Sequence, residues 1–172
     1  MPKADPHRRQ KATDMKTVNI VIAGLGGQGI VKASDILADV AFRAGHEVKK
    51  AEVHGMSQRG GSVNTDIRYG QRVLSPMVPD GTADFLVILE PTQVENNRHR
   101  LAPAGRLLTS DCLATFEHGP ARADTVAMLG ILSAWLDLPV ATWHDAIRAA
   151  LPEKHHAMNL AAFDAGRNSV AH

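Results

Sequence analysis

Val18-Asn19-Ile20-Val21-Ile22-Ala23 runs straight into Gly24-Leu25-Gly26-Gly27-Gln28-Gly29, and an amphipathic pattern opens at Ile30. The apolar run reads as a strand, the glycines as a tight turn, and Ile30 to Ala44 as a helix with Ile30, Ala33, Ser34, Leu37, Val40 and Ala41 on one face. Strand, glycine turn and helix start together form the context of a dinucleotide-type loop. Gly24 would permit the turn, Gly26 the approach of backbone to a phosphate, and Gly29 the packing of helix on strand. The first N–H groups of the helix would then face an anion.

Gly45 reads as the end of that helix, and Glu47 to Val53 as a second strand lying parallel to the first. The next stretch is His54-Gly55-Met56-Ser57-Gln58-Arg59-Gly60-Gly61-Ser62. Its glycines imply unusual backbone angles or a close backbone approach. Gln58 and Arg59 offer donors to phosphate or carboxylate, and Met56 offers adaptable apolar contact. The competing reading is a connection whose glycines merely relieve strain. Val63, Thr65, Ile67 and Tyr69 alternate as a strand. Gly70-Gln71 reads as a turn, with Val73-Leu74 resuming as the second arm of a hairpin.

Asp84 to Leu89 has the apolar continuity of a strand buried on both faces. Pro91 suits a first helical position, and Thr92 to Leu101 continues as helix. Gly105 to Thr109 reads as a strand. From Asp124 the chain turns helical, with Ala127, Met128, Ile131, Leu132, Trp135 and Leu136 on one face. Thr142-Trp143-His144-Asp145 resembles a capping box opening a helix to Leu151, and a last helix spans Glu153 to Ala165 with Gly166 as its cap. The fold class expected is α/β: a Rossmann-like three-layer arrangement, a mostly parallel sheet with an antiparallel hairpin, and a helical C-terminal part.

The 172 residues are enough for one domain with its own core, and 44% of them are hydrophobic. Residues 1–16 are polar and basic and are read as a disordered tail, with residues 17–172 as the domain. Nineteen basic against eighteen acidic side chains give no general reason to expect nucleic acid as a partner. No apolar run reaches the length of a membrane span, and the tail lacks the apolar segment of a signal peptide, so the chain is read as cytoplasmic. Cys112 is the only cysteine, which excludes a disulfide framework or a cysteine-ligated iron–sulfur cluster within this sequence. Cys112 itself reads as an inert packed thiol, and Trp135 and Trp143 as packing residues.

Several constellations compete with a binding role. Glu52, 23 residues past Gly29, sits where a nicotinamide enzyme places a ribose-binding acid. The chain, however, has no room for a substrate domain. Asp80-Gly81 with Asn96-Asn97 is too closely spaced for a thiamine-diphosphate metal motif. The nine histidines show no paired metal-ligand spacing; His155-His156 with His144 could hold a metal, but they read as solvated surface histidines, and no G-x-S-x-G elbow is present. No catalytic residue and no metal ligand is assigned to this chain.

Taken together, Gly24 to Gly29 and Glu52-Val53-His54-Gly55-Met56-Ser57-Gln58-Arg59-Gly60-Gly61-Ser62-Val63 resemble the gamma subunit or domain of the 2-oxoacid:acceptor (ferredoxin) oxidoreductases. The similarity is greatest to the small (beta) subunit of indolepyruvate:ferredoxin oxidoreductase. Arg68, Ala83-Asp84, Glu90-Pro91, Leu129-Gly130 and Asn159-Leu160-Ala161-Ala162-Phe163 fit the same pattern, and Asp124 stands where relatives are expected to carry asparagine. The resemblance implies a non-catalytic subunit of a complex that oxidatively decarboxylates a 2-oxoacid. Thiamine diphosphate, Mg and Fe–S clusters would sit in larger partner subunits, with ferredoxin or NAD as acceptor. Coenzyme A would lie at the glycine-rich loops: Gly24, Gly26, Gly27, Gln28, Gly29, Met56, Gln58, Arg59, Gly60, Gly61 and Ser62. The contrasting readings are a free-standing dinucleotide-binding oxidoreductase or redox sensor, and a purely structural assembly subunit.

Overall fold

In the computed structural model, residues 16–55 and 60–170 are described. The basic tail falls almost wholly outside them, as do Met56, Ser57, Gln58 and Arg59. Chain order is β1 (Val18–Leu25), α1 (Ile30–Arg43), β2 (Glu47–His54), β3 (Ser62–Gly70), β4 (Ala83–Ile88), α2 (Val94–Asn97), β5 (Leu101–Thr109), α3 (Asp124–Ser133), α4 (Val140–Ala150) and α5 (His156–Asn168). Single 3-10 turns flank α2 and precede α3 and α5, and a longer 3-10 stretch follows β5.

The five strands form one sheet in the order β2-β3-β1-β4-β5. β4 runs parallel to β1 and to β5, whereas β3 runs antiparallel to both β1 and β2. Four strands therefore point one way and β3 alone is reversed, which makes the sheet mixed. The antiparallel pair exists, but it is β2 and β3, which the glycine-rich stretch after His54 joins in sequence. Val73-Leu74 forms no strand; β3 instead enters between β2 and β1, so the expected direct pairing of those two does not occur. β3 has the composition for this central place. Val63, Thr65, Asp66, Ile67, Tyr69 and Gly70 are all buried.

Strand alternation divides the core. Ile20, Ile22, Ile67 and Val87 belong to the main cluster with Ile36, Leu37 and Val40 of α1, Met128 and Leu132 of α3, Trp143 and Ile147 of α4 and Phe163 of α5. Val21, Ala23, Leu86 and Ile88 face the other way, into a smaller cluster closed by Val78, Val94 and Leu101. This third layer is thin: a loop and the short helical turns around α2. Asp66 fastens the loop by accepting hydrogen bonds from the Val78 N–H at 2.8 Å and from Arg100 Nη2 at 2.7 Å. The long helix expected over Thr92 to Leu101 is broken into three short turns, with Pro91 at the first position as its fixed φ allows.

α1 ends in a Schellman closure. Gly45 N–H reaches Phe42 O at 3.0 Å, His46 N–H reaches Ala41 O at 3.1 Å, and Gly45 takes φ +91°. The C-terminal helices depart from expectation in detail. α3 is buried on every side from Val126 to Ser133 rather than along one face. α4 starts at Val140 behind Pro139, so Thr142 caps nothing. Gly166 lies inside α5 rather than beyond its end. A Cβ there would stand 2.1 Å from Ala127 O, and one at Gly130 would stand 2.1 Å from Phe163 O. The two glycines let α3 and α5 cross with backbones in contact. Trp143 is fully buried, whereas Trp135 is 39% exposed and carries the Arg106 guanidinium 3.5 Å above its ring centroid.

Candidate functional site

β1 delivers its last residue, Leu25, into a tight turn. Gln28 N–H donates to Leu25 O at 3.2 Å, and Gly27 holds φ +89° at the third position, as a type II turn requires. The Gln28 side chain folds back so that Oε1 accepts from Leu25 N–H at 2.7 Å, while Nε2 lies 3.4 Å from Glu90 Oε2. This is why residue 24 is glycine: a Cβ would stand 2.6 Å from both Gln28 Oε1 and Ile30 Cδ1. Gly29, at φ +80°, starts α1 without a side-chain cap. It faces α3 rather than the strand, since its Cβ position is 3.4 Å from Thr125 Oγ1, which donates to Gln28 O at 2.6 Å.

The second glycine stretch meets the first. β2 and β3 are closed by Gly55 N–H to Ser62 O at 2.7 Å, and Gly60 takes φ +65°. Gly26 N–H donates to Gly61 O at 2.8 Å, and a Cβ on Gly26 would be 3.6 Å from Gly60 N. The backbone that Gly26 admits is therefore that of Gly60 and Gly61. Of the expected site residues, Gly24, Gly26, Gly27, Gln28, Gly29, Gly60, Gly61 and Ser62 are brought to one junction. Met56, Gln58 and Arg59 lie outside the described residues. Chain neighbours apart, no described atom comes within 4 Å of the Cβ positions of Gly27 and Gly60.

Glu52 is not part of this junction, because β3 separates β2 from β1. It pairs with Lys50 at 2.8 Å and with His54 at 3.5 Å. The Lys50 hydrogen bond, with His54 nearby, holds its carboxyl below the ordinary range despite desolvation. Burial works to lower the Lys50 ammonium, but hydrogen bonds from it to Asp35 and Glu52 outweigh this and raise it.

Beside the Gly27–Gly29 turn opens a cavity of about 620 Å³ between α1 and the C-terminal helices. Lys32, Arg122, Asp124, Thr125, His155 and Asn159 reach it. Asp124 does not stand free: His118 Nε2 is 2.8 Å from its Oδ1, and the other ring nitrogen is 3.3 Å from Phe116 O. Asp124 and Asn159 were noted singly, as a departure from and a match to the family pattern, but these residues are invisible as a group in the sequence, since they come from three separated segments. Among the described residues no group of three or more His, Cys, Asp or Glu side chains is placed to hold a metal ion. No helix among them is long and apolar enough to cross a membrane.

The family model of pyruvate ferredoxin/flavodoxin oxidoreductase matches residues 19–115. The chain is 33% identical to the indolepyruvate oxidoreductase subunit IorB of Pyrococcus horikoshii, over 88% of this chain and 95% of that one. Among solved structures, the gamma subunit of a keto/oxoacid ferredoxin oxidoreductase from Geobacter sulfurreducens superposes with a TM-score of 0.71 at 20% identity, covering 88% of this chain and 97% of that chain. A 2-oxoglutarate:ferredoxin oxidoreductase from Magnetococcus marinus, solved with 2-oxoglutarate, coenzyme A and succinyl-CoA, superposes with a TM-score of 0.74 at 23% identity. That match covers 90% of this chain and 31% of that chain. At these identities the structural matches speak for the fold.

Proposed function

The chain belongs to the pyruvate ferredoxin/flavodoxin oxidoreductase family, and from that premise we propose that it is the small, non-catalytic subunit of a cytoplasmic 2-oxoacid oxidoreductase, with indolepyruvate or another aryl 2-oxoacid as substrate. The observation that carries this reading is the match to an indolepyruvate oxidoreductase subunit along 95% of that relative's length. Residues 17–172 make up the gamma-type domain. With one cysteine in the whole sequence, the chain cannot ligate a four-cysteine cluster itself. Thiamine diphosphate, Mg and Fe–S clusters would belong to a larger partner subunit, supplying decarboxylation and electron transfer to ferredoxin or NAD.

This chain's contribution would be structural and ligand-binding. The junction of the two glycine stretches supports it: the uncrowded Cβ positions of Gly27 and Gly60 and the uncapped start of α1 suit a phosphate of coenzyme A. The segment from His54 to Ser62, with Gln58 and Arg59 as directed donors, would contact the partner near the active-site entrance.

The test is purification under anoxic, low-salt conditions, followed by assay with aryl 2-oxoacids. A stoichiometric complex with a larger thiamine- and cluster-bearing subunit is expected. Arg59→Ala should weaken subunit affinity, and Arg59→Lys should restore it only in part, because an ammonium lacks the planar fork. A monomer that reduces an acceptor by itself would overturn the proposal in favour of a free-standing oxidoreductase. Assembly and turnover that ignore both Arg59 variants would remove that side chain from the interface.

A further inference from the structure

β2 is a terminal strand of the sheet, and it is regular: it pairs with β3 residue for residue from Glu47 to His54 without a register break. The opposite edge is blunted. β5 carries Pro103, and its register with β4 shifts between Ala83 and Phe85. The hydrogen bond from Gly55 N–H to Ser62 O fixes which backbone groups of β2 face inward. Antiparallel pairs alternate between bonded and non-bonded, so Glu47, Lys49, Ala51 and Val53 bond to β3. The N–H and C=O groups of Val48, Lys50, Glu52 and His54 therefore point away from the sheet, and among the described residues no strand meets them. Two large apolar side chains flank this edge: Val53 is 52% exposed and Phe42 is 72% exposed. Phe42 shares a face of α1 with Val31, Asp35 and Ala38, at spacings of three and four residues. That face overlooks β2, because Asp35 pairs with Lys50.

We infer that this edge is an interface between two copies of this chain, which join β2 to β2 across a two-fold axis and merge their sheets into one. An isologous contact needs a self-complementary surface, and β2 supplies it. With the axis at Ala51, Lys50 stands opposite the partner's Glu52, and Val48 opposite the partner's His54, each twice by symmetry. These are the four residues whose backbone groups point outward, so the ladder closes with every one of them paired. Moving the axis to Lys50 or to Glu52 would set like charges face to face, so the charges select one register. Edge lysines commonly repel a second strand; here Glu52, two residues on from Lys50, turns repulsion into a match. On the other face of the pair the Lys49 stem covers the partner's Val53. α1 lies over β2 and β3. Strands about 4.8 Å apart then bring the two α1 helices to about 10 Å, a packing distance for helices, and Val31, Ala38 and Phe42 line that contact. The interface goes beyond the proposed role in a larger complex and does not depend on it.

Sedimentation velocity of the full chain over about 1–100 μM should show a reversible dimer. Glu52→Lys and Lys50→Glu each place like charges across the axis, and each alone should weaken the dimer at least about tenfold. Mixed in equal amounts, the two variants should pair with one another at near wild-type affinity, a recovery that misfolding of either cannot produce. Phe42→Gln should weaken the dimer about tenfold while leaving the melting temperature unchanged, since that side chain is exposed. In a Cys112→Ser background, Ala51→Cys should form a covalent dimer with oxidised glutathione. Ala51 faces its own copy in a non-bonded pair, with Cα atoms about 4.5 Å apart. Lys49→Cys, which faces the partner's Val53, should form none. The cross-link can also be read within an assembled complex. A monomer at every concentration, mixed charge variants that fail to recover, or no Ala51→Cys dimer would each overturn the inference. Cross-linking of Ala51→Cys to a larger subunit instead would overturn it in favour of a strand from that subunit. A chain that dimerises but captures no larger subunit refutes the assembly proposal alone, and an active complex whose copies never cross-link refutes this interface alone.

Discussion

Replacing Gly166 by alanine puts a methyl where the backbone of another helix already lies. Its Cβ would be 2.1 Å from Ala127 O, 3.0 Å from Ala127 C and 3.2 Å from Ile131 N. Cβ atoms come essentially no nearer than 3.0 Å to other heavy atoms, so α5 must withdraw from α3 by nearly an ångström. The obstacle is main chain, so no rotamer change relieves it. Overpacking of this kind costs about 1–3 kcal/mol, and a backbone clash belongs at the upper end. Alanine recovers about 1 kcal/mol of helix propensity over glycine. The net loss is therefore about 2 kcal/mol, which for a chain of this size lowers the melting temperature by about 4–8 °C. Gly130→Ala meets Phe163 O at the same crossing. The double variant should lose less than the two single losses added, because helices separated by one methyl admit the second. Thermal unfolding followed by far-UV circular dichroism measures both. If Gly166→Ala melted at or above the wild-type temperature, the close crossing would be refuted, and Gly166 would be an ordinary helix glycine that alanine improves.

Two further outcomes follow from the glycine junction and from a buried tyrosine. Gly26→Ala should leave stability near wild type, since its Cβ meets only ordinary contacts at 3.6 Å and beyond, whereas Gly26→Val should lose about 1–3 kcal/mol by driving a branched side chain towards Gly60 and Gly61; equal denaturation midpoints for the two variants would show that the stretches do not meet. Burial, aided by Asp137 and Asp84, raises the Tyr69 hydroxyl above its ordinary 10.0. A raised folded value means that the stabilisation is complete below about pH 10 and is lost as pH climbs towards the folded value. Denaturant titrations at about pH 8 and about pH 11 should therefore show a loss of stability in wild type that is smaller in Tyr69→Phe. Identical losses in both proteins would refute the assignment.

Local sequence was enough for whatever depends on near neighbours along the chain. The run into Gly24–Gly29 specifies strand, turn and helix because each step is set by local sterics: φ +89° at Gly27, φ +80° at Gly29, and Gln28 closing on Leu25 three residues away. The same holds for Gly45, whose Schellman bonds span five residues. Family membership was also legible, because two glycine motifs at fixed separation are a property of the linear chain. Strand order was not. An alternating strand such as β3 pairs equally well at an edge or between neighbours, and only the competition among all five strands put it between β2 and β1, making β2 its antiparallel partner and carrying Glu52 away from the loop. Gly166 looked like a cap because it stands near the end of a helical pattern; its use as a contact with Ala127 depends on a helix that lies far off in sequence. The cavity-lining residues Lys32, Arg122 and His155 share no spacing that periodicity can detect. Their meeting is a consequence of how α3 and α5 dock beside α1, and packing between distant segments is a term that no local pattern contains.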